Sequence, residues 1–371
     1  LALLDEPEKN SDGSLSLDQQ KFLKHKFLVQ VMVFGRCSDR APVVRSKALS
    51  SFAHCLEMKT AATLESVQDL LQSYCDHTAL EANTNTASLT VGAEGMSSHP
   101  LKTLATFKTI ELTDSSGTAA LDGKEVMSML RLRAGDEKTN VRKSALQVFT
   151  NILKYRMIPC TREDLSTLQD RCRDPAVSVR KQALQSVTEL LLSQPDNVLV
   201  QKAWLNGVVP AVMDAESSVQ GKALDCLDQL LLQHIKCSKF RNEDENQALA
   251  WDLLTLLTSE SQELTRYLSK AFHMWSKQNK FTSAFIKSVM SHVETERAVP
   301  AWMLLAKVAG SSPKLDYSKV IESWDNVSRQ QNVSTDTTGH ILCVIGHVAK
   351  HLPKSTCERL VGEWPQETTE G

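Results

Sequence analysis

The sequence predicts an all-α solenoid of stacked helix pairs. Three observations carry that reading. Glycine is scarce, 14 of 371 residues, against about 7% in an average domain. Aromatic residues make up only 5%, so sandwiches, barrels and dinucleotide-binding sheets are disfavoured. The length exceeds the roughly 250–300 residues that one compact core holds. The chain therefore either divides or extends without a single core, and one short pattern recurs along it.

Four segments follow one template: Asp, four intervening residues, a Val and a polar residue, then Ala, then an apolar residue. They are Asp39, Val44-Arg45, Ala48, Phe52; Asp136, Val141-Arg142, Ala145, Phe149; Asp174, Val179-Arg180, Ala183, Val187; and Asp214, Val219-Gln220, Ala223, Leu227. The Asp residues are 97, 38 and 40 apart. A period near 40 with two helices per unit is the signature of HEAT and armadillo solenoids. An Asp in the turn is expected to cap the helix that follows. Pro42 and Pro175 lie at or next to the first helical turn, where proline is tolerated. Val, Ala and the last apolar residue share one helix face, and the small Ala admits a close neighbour.

The first helix of each unit precedes its Asp. Phe22 to Phe34, Val126 to Leu132, Leu165 to Cys172 and Ala203 to Met213 all have apolar helical periodicity. Downstream the template decays. Leu253–Leu257 pairs with Tyr267–Trp275, with Thr265-Arg266 in the Val-Arg slot. Phe285–Val293 pairs with Ala301–Ala309, and Tyr317–Val327 with Ile341–Leu352. Pro300, Pro313 and Pro353 mark helix boundaries, and Cys357–Trp364 opens one more unit. The expectation is one continuous solenoid fragment over 1–371, with roughly seven stacked helix pairs. Residues 76–123 break the period. This Ser/Thr-rich stretch reads as a long inserted, disordered loop, in which Leu101–Leu112 is an apolar patch.

Charge balances at 42 Lys+Arg against 44 Asp+Glu, a net −2, which excludes a strongly basic protein and leaves local basic stripes open. None of the nine cysteines forms a C-x-x-C pair, so zinc ribbons and thioredoxin-like motifs are not indicated. Cys55, Cys226 and Cys343 fall in apolar helical patterns and read as buried, reduced hydrophobes, which implies an intracellular chain. No apolar run approaches the ~18 residues of a membrane span. The chain begins at Leu1 without a signal-peptide layout and reads as part of something longer.

The longer runs carry a resemblance. Phe34-Gly35-Arg36-Cys37-Ser38-Asp39 followed by Val44-Arg45-Ser46-Lys47-Ala48-Leu49, together with Asn140-Val141-Arg142-Lys143-Ser144-Ala145-Leu146, resembles the HEAT-repeat D-type regulatory subunits of condensin. Asp170 to Leu184, Ala301-Trp302-Met303-Leu304-Leu305 and Gly339-His340-Ile341-Leu342-Cys343 look like the condensin II version. The likeness runs from about Gln20 to about Thr356 outside the insert. It implies a non-catalytic subunit of a complex that also holds an SMC ATPase heterodimer, a kleisin subunit and a second HEAT subunit. That complex is nuclear and chromosome-associated and acts in mitotic chromosome condensation. Such a solenoid would hold kleisin, contact an ATPase head and touch DNA. The alternative is a HEAT adaptor of another class, a transport receptor or phosphatase scaffold; the near-neutral charge fits a transport receptor poorly.

At about 100° per residue, Arg45, Arg142 and Arg180 fall inside the apolar arc of their helices. They are read as structural, paired with the turn Asp of their own or a neighbouring repeat, which gives a ladder of Asp39, Arg45, Asp136, Arg142, Asp174, Arg180 and Asp214. Lys143 and Lys181 point outward near 200°, and Lys47 and Lys222 near 300°. These four are the candidate contacts to DNA phosphates or a partner, weak and independent of sequence. The smaller clusters Lys21-Lys24-Lys26, Arg162-Arg171-Arg173 and Lys236-Lys239-Arg241 add basic charge without aromatic interleaving. His340, Cys343, His347 and His351 line one helix flank, where four ligands in a row cannot enclose one tetrahedral ion; packing is the expectation. No cofactor and no small-molecule substrate is expected, and there is no Gly-rich phosphate loop, nucleophile elbow or paired-carboxylate layout. Ser312-Pro313-Lys314 fits a proline-directed phosphorylation site in an inter-repeat turn.

Overall fold

The computed structural model describes residues 35–58, 123–237, 245–260, 262–327 and 335–362, with positions 64, 67, 68 and 71. The expected helix over 22–34, the basic cluster Lys21-Lys24-Lys26, the insertion up to residue 122 and its apolar patch lie outside the described residues. All regular structure among the described residues is helical. In chain order the α-helices are α1 Gly35–Cys37, α2 Pro42–Met58, α3 Gly123–Ala134, α4 Thr139–Lys154, α5 Arg162–Arg171, α6 Val177–Ser193, α7 Val198–Val208, α8 Ser217–Leu227, α9 Glu245–Glu260, α10 Gln262–Lys277, α11 Ser283–Met290, α12 Ala298–Ser311, α13 Ser318–Val327, α14 Thr335–Val348 and α15 Lys354–Gly362. The helix expected over Ala203 to Met213 is divided. Pro210 has no N–H to continue α7, and a short 3₁₀ turn Pro210–Met213 follows. The chain falls into two compact units, one ending at Gly207 and one beginning at Val208.

In the first unit the second helices of successive pairs stack: α2 on α4 and α4 on α6. The first helices, α3 and α5, pack on each other and on their own partners. The template explains why α4 sits in the middle. Val141, Ala145, Phe149 and Ile152 on one side and Leu146, Val148 and Leu153 on the other are all 0% exposed. Its core side chains therefore meet neighbours on several sides, each worth about 1.5–3 kcal/mol relative to exposure. Val179, Ala183, Val219 and Ala223 are equally buried, but Val44 is 37% exposed and Ala48 is only half-buried. Among the described residues α2 has a second-helix neighbour on one side, α4, so its Val-Ala edge is not enclosed. Buried polar side chains tie the layers together. The Asn151 amide donates to the Ala53 carbonyl (3.2 Å), the Gln194 amide to the Leu153 carbonyl (2.9 Å), and the Trp204 indole to Thr188 Oγ1 (3.0 Å).

The second unit keeps the pairing with a weaker template. α10 packs on α12 and α12 on α14, around the fully buried Trp251, Trp275 and Trp302. The Val-Arg slot of α10 is offset by one from the expected Thr265-Arg266. Leu264, Leu268 and Phe272 are buried while Arg266 is exposed, so Leu264-Thr265 occupies the slot.

Candidate functional site

Each template Asp builds a turn rather than capping a helix directly. Its carboxylate accepts the N–H two residues on: Ala41 (2.9 Å) from Asp39, Lys138 (3.0 Å) from Asp136, Ala176 (2.9 Å) from Asp174 and Glu216 (2.9 Å) from Asp214. These acceptor bonds stop one residue short of the helix. The N-cap residues Lys138, Ala176 and Glu216 make no side-chain cap. The side chain six residues after the Asp reaches back into the same turn. Arg45 Nη1 donates to the carbonyls of Asp39 (2.9 Å) and Arg40 (3.0 Å), and Arg142 Nη1 to those of Asp136 (2.9 Å) and Glu137 (3.2 Å). Arg180 Nη1 meets Asp174 (2.8 Å) and Pro175 (3.2 Å), and the Gln220 amide meets Asp214 (2.6 Å).

The other edge of the guanidinium crosses to the next repeat. Arg45 lies against both carboxylate oxygens of Asp136, at 2.9 Å each. Arg142 donates from Nε (2.8 Å) and Nη2 (2.7 Å) to the two oxygens of Asp174. The Arg142–Asp174 pair is bidentate, whereas Arg45 hydrogen-bonds Asp136 through Nη2 alone, with Nε beside Oδ2 as an ion pair; the Asp136 and Asp174 side chains are 2% and 0% exposed. Burial disfavours the charged forms of Asp136 and Asp174, but the guanidiniums and turn N–H groups outweigh it and hold both below the usual carboxylate range. Asp39, half-buried, is lowered chiefly by the Ala41 N–H. The structure thus joins Asp39, Arg45, Asp136, Arg142 and Asp174 in one run, with Arg180 held in the turn of Asp174. Asp214 has the same turn with glutamine in place of arginine.

Two sets of partners escaped the sequence reading. Arg36, Arg133 and Arg171 each stand three residues before a template Asp and donate to it at 3.2, 3.0 and 3.1 Å. The recurring Arg-x-x-Asp is the signal for them. Asp164, fully buried, receives Arg131 at 2.6 Å, which joins α3 to α5. Asp164 also closes a capping box with Thr161, and the Thr-x-x-Asp spacing before an apolar run announces it.

Lys47, Lys143 and Lys181 are exposed, and Lys222 is half-buried with an interaction of its own. They do not form one row. Lys143 and Lys181 occupy the same template position, where the first and fourth repeats carry Ser46 and Gly221. Lys47 and Lys222 sit one residue later, where the second repeat carries the buried Ser144. An open groove of about 530 Å³ between α2 and the start of α4 is edged by Lys47 and Lys138, with Val43, Ser46 and Asn140 beside them. Val43 is 80% exposed there.

No group of three His, Cys, Asp or Glu placed to hold a metal occurs among the described residues. His347 lies across Gly310 of α12, where an added Cβ would stand 3.2 Å from Nε2, so this member of the histidine stripe is a packing residue. Cys55 and Cys226 are buried, but Cys343 is exposed. It sits on the flank of α14, off the face of Ile341, Val344, Ile345 and Val348. No helix among the described residues is long and apolar enough to cross a membrane.

Over 367 residues, 97% of the chain, the sequence is 62% identical to condensin-2 complex subunit D3-L of Xenopus laevis. Over 370 residues, 98% of the chain, it is 55% identical to condensin-2 complex subunit D3 of Mus musculus. It covers 25% and 24% of those proteins, so the chain spans about a quarter of the length of the curated relatives it matches. No protein-family model matches it. A chain from the solved structure in which Kap95p binding induces the switch loops of RanGDP to adopt the GTP-bound conformation aligns over 98% of this chain and 46% of its own. The TM-score is 0.32 at 11% identity, too slight a likeness to carry an argument.

Proposed function

This chain belongs with the condensin-2 D3 subunits, and from that premise we propose that it is a non-catalytic scaffold segment that binds the kleisin subunit and an SMC ATPase head within condensin II. The observation that carries the reading is the identity of more than half of all positions along nearly the whole chain. The physical argument supports it. Helix pairs that bury their apolar sides against neighbours, cross-linked by buried Arg–Asp pairs, make a scaffold rather than a reaction centre. The segment works alongside the second HEAT subunit, on nuclear chromosomes, in mitotic chromosome condensation.

A second role concerns DNA. The exposed Lys47, Lys143 and Lys181 and the groove-edge Lys138 suit contacts to phosphates, weak and independent of sequence. Lys222, half-buried, is the least suited of the original four. Co-purification of the chain with a kleisin fragment tests the main reading. Stable association is expected, whereas binding to a small GTPase with no retention of kleisin would point instead to a transport-type adaptor.

A further inference from the structure

Of the 11 prolines in the chain, only Pro313 follows a serine or threonine. Ser312 is the C-cap of α12 and opens the turn 312–317 that leads to α13. It is half-buried, while Lys314 and Asp316 in the same turn are exposed. Its hydroxyl is engaged with the neighbouring repeat. Ser276, in the last turn of α10, donates to the Ser311 carbonyl at 2.8 Å and lies 2.7 Å from Ser312 Oγ. A hydroxyl has one proton, and a carbonyl can only accept. The Ser276 proton is therefore committed to Ser311, and Ser312 is the donor to Ser276. The Tyr317 hydroxyl, donating to the Ser312 carbonyl at 2.9 Å, closes the turn.

We propose that Ser312 is a phosphoacceptor for a proline-directed protein kinase, and that its phosphorylation detaches the end of α12 from the end of α10. In the transfer, Ser312 Oγ attacks the γ-phosphorus of ATP. The new O–P bond forms as the bond to the β-bridging oxygen breaks, the hydroxyl proton passes to a base of the kinase, and ADP leaves. The product has lost the donor of the Ser312–Ser276 bond. Two acceptor oxygens would face each other at 2.7 Å unless Ser276 turned its proton away from Ser311 and left that carbonyl unmet. The ester also places about −1.5 to −2 charges at a helix C-terminus, where the last carbonyls already present negative partial charge. Both effects favour the open turn, and Trp275 and Val308, buried in the adjoining turns, limit the opening to the helix ends.

The folded chain is incubated with ATP and a purified proline-directed kinase, phosphate is located by peptide mass spectrometry, and amide exchange is followed over 270–277 and 304–312. One phosphate at Ser312, absent from Ser312→Ala, is expected, with exchange in both windows faster by about tenfold. Ser276→Ala frees the Ser312 hydroxyl without adding charge, so it should be phosphorylated faster than the parent chain. Absence of phosphate at Ser312 in both the parent and Ser276→Ala overturns the proposal. So does a phosphorylated chain that exchanges like the unmodified one.

Discussion

Replacing Arg142 by alanine removes four hydrogen bonds at once: two to the Asp174 carboxylate and two to the carbonyls of Asp136 and Glu137. It leaves a carboxylate with 0% side-chain exposure, supported only by Arg171 at 3.1 Å and the Ala176 N–H at 2.9 Å. Breaking a buried pair from one side costs about 3–5 kcal/mol, because the remaining charge stays desolvated. For a unit of roughly 200 residues each kcal/mol lowers the melting midpoint by about 2–4 °C, so a fall of about 6–20 °C is expected. Calorimetry gives the midpoint, and amide exchange over α4 and α6 assigns the loss to this rung. Arg36→Ala is the control. Its pair with Asp39 is 61% exposed on the arginine side, and such pairs contribute about 1 kcal/mol or less. Equal, small losses for the two variants would refute the view that the ladder fastens successive repeats.

Acid should dissolve the same rungs. A carboxylate with a depressed folded pKa contributes stability above its unfolded value, near 3.9, and loses that contribution as pH falls through the lower folded value. The stability gap between the parent chain and Asp174→Asn, followed by urea unfolding from pH 7 to pH 3, should hold above about pH 4 and narrow below it. Lys143→Glu with Lys181→Glu should leave the melting midpoint unchanged, weaken binding to duplex DNA and flatten its salt dependence; unchanged binding would remove these lysines from any DNA role. Two glycines should respond oppositely to alanine under thermal melting. Gly221 in α8 has nothing within 4 Å of an added Cβ, and Gly221→Ala should stabilise by about 1 kcal/mol through helix propensity. At Gly207 the Cβ would meet Cys172 Sγ at 3.0 Å, and Gly207→Ala should destabilise by about 1–2 kcal/mol, overpacking outweighing propensity.

The helix pairs were legible because their signal is local. Val141, Ala145 and Phe149 sit four apart, and the 38–40 residue recurrence sets one pair after another. That Arg142 would lie within the packed side of its helix was legible from its position inside the apolar arc. Which groups it would meet was only half legible. The bond to its own turn spans six residues, but the choice of Asp174 rather than Asp136 for the carboxylate depends on how α4 lies against α6. Arg131 with Asp164 and Asn151 with Ala53 were illegible for the same reason, since each pair joins elements whose spacing no periodicity records. Cys343 failed differently. Period alone places a residue on an arc, and a flank position reads like a core position until the neighbouring helix is in place.

The two rungs share one plan, an arginine held in its own turn and paired with the next template Asp, over unequal lengths of chain: Arg45 and Asp136 are 91 residues apart, Arg142 and Asp174 only 32. The distance from one repeat to the next is therefore gauged by a planar guanidinium gripping a turn on one side and a carboxylate on the other, and the contour length between them is a free parameter. Each doubling of such a connection costs only about 0.6 kcal/mol in closure entropy. A longer connection between two rungs therefore costs little in closure entropy, although Val67 and Leu71 within the longer one are fully buried and belong to the core.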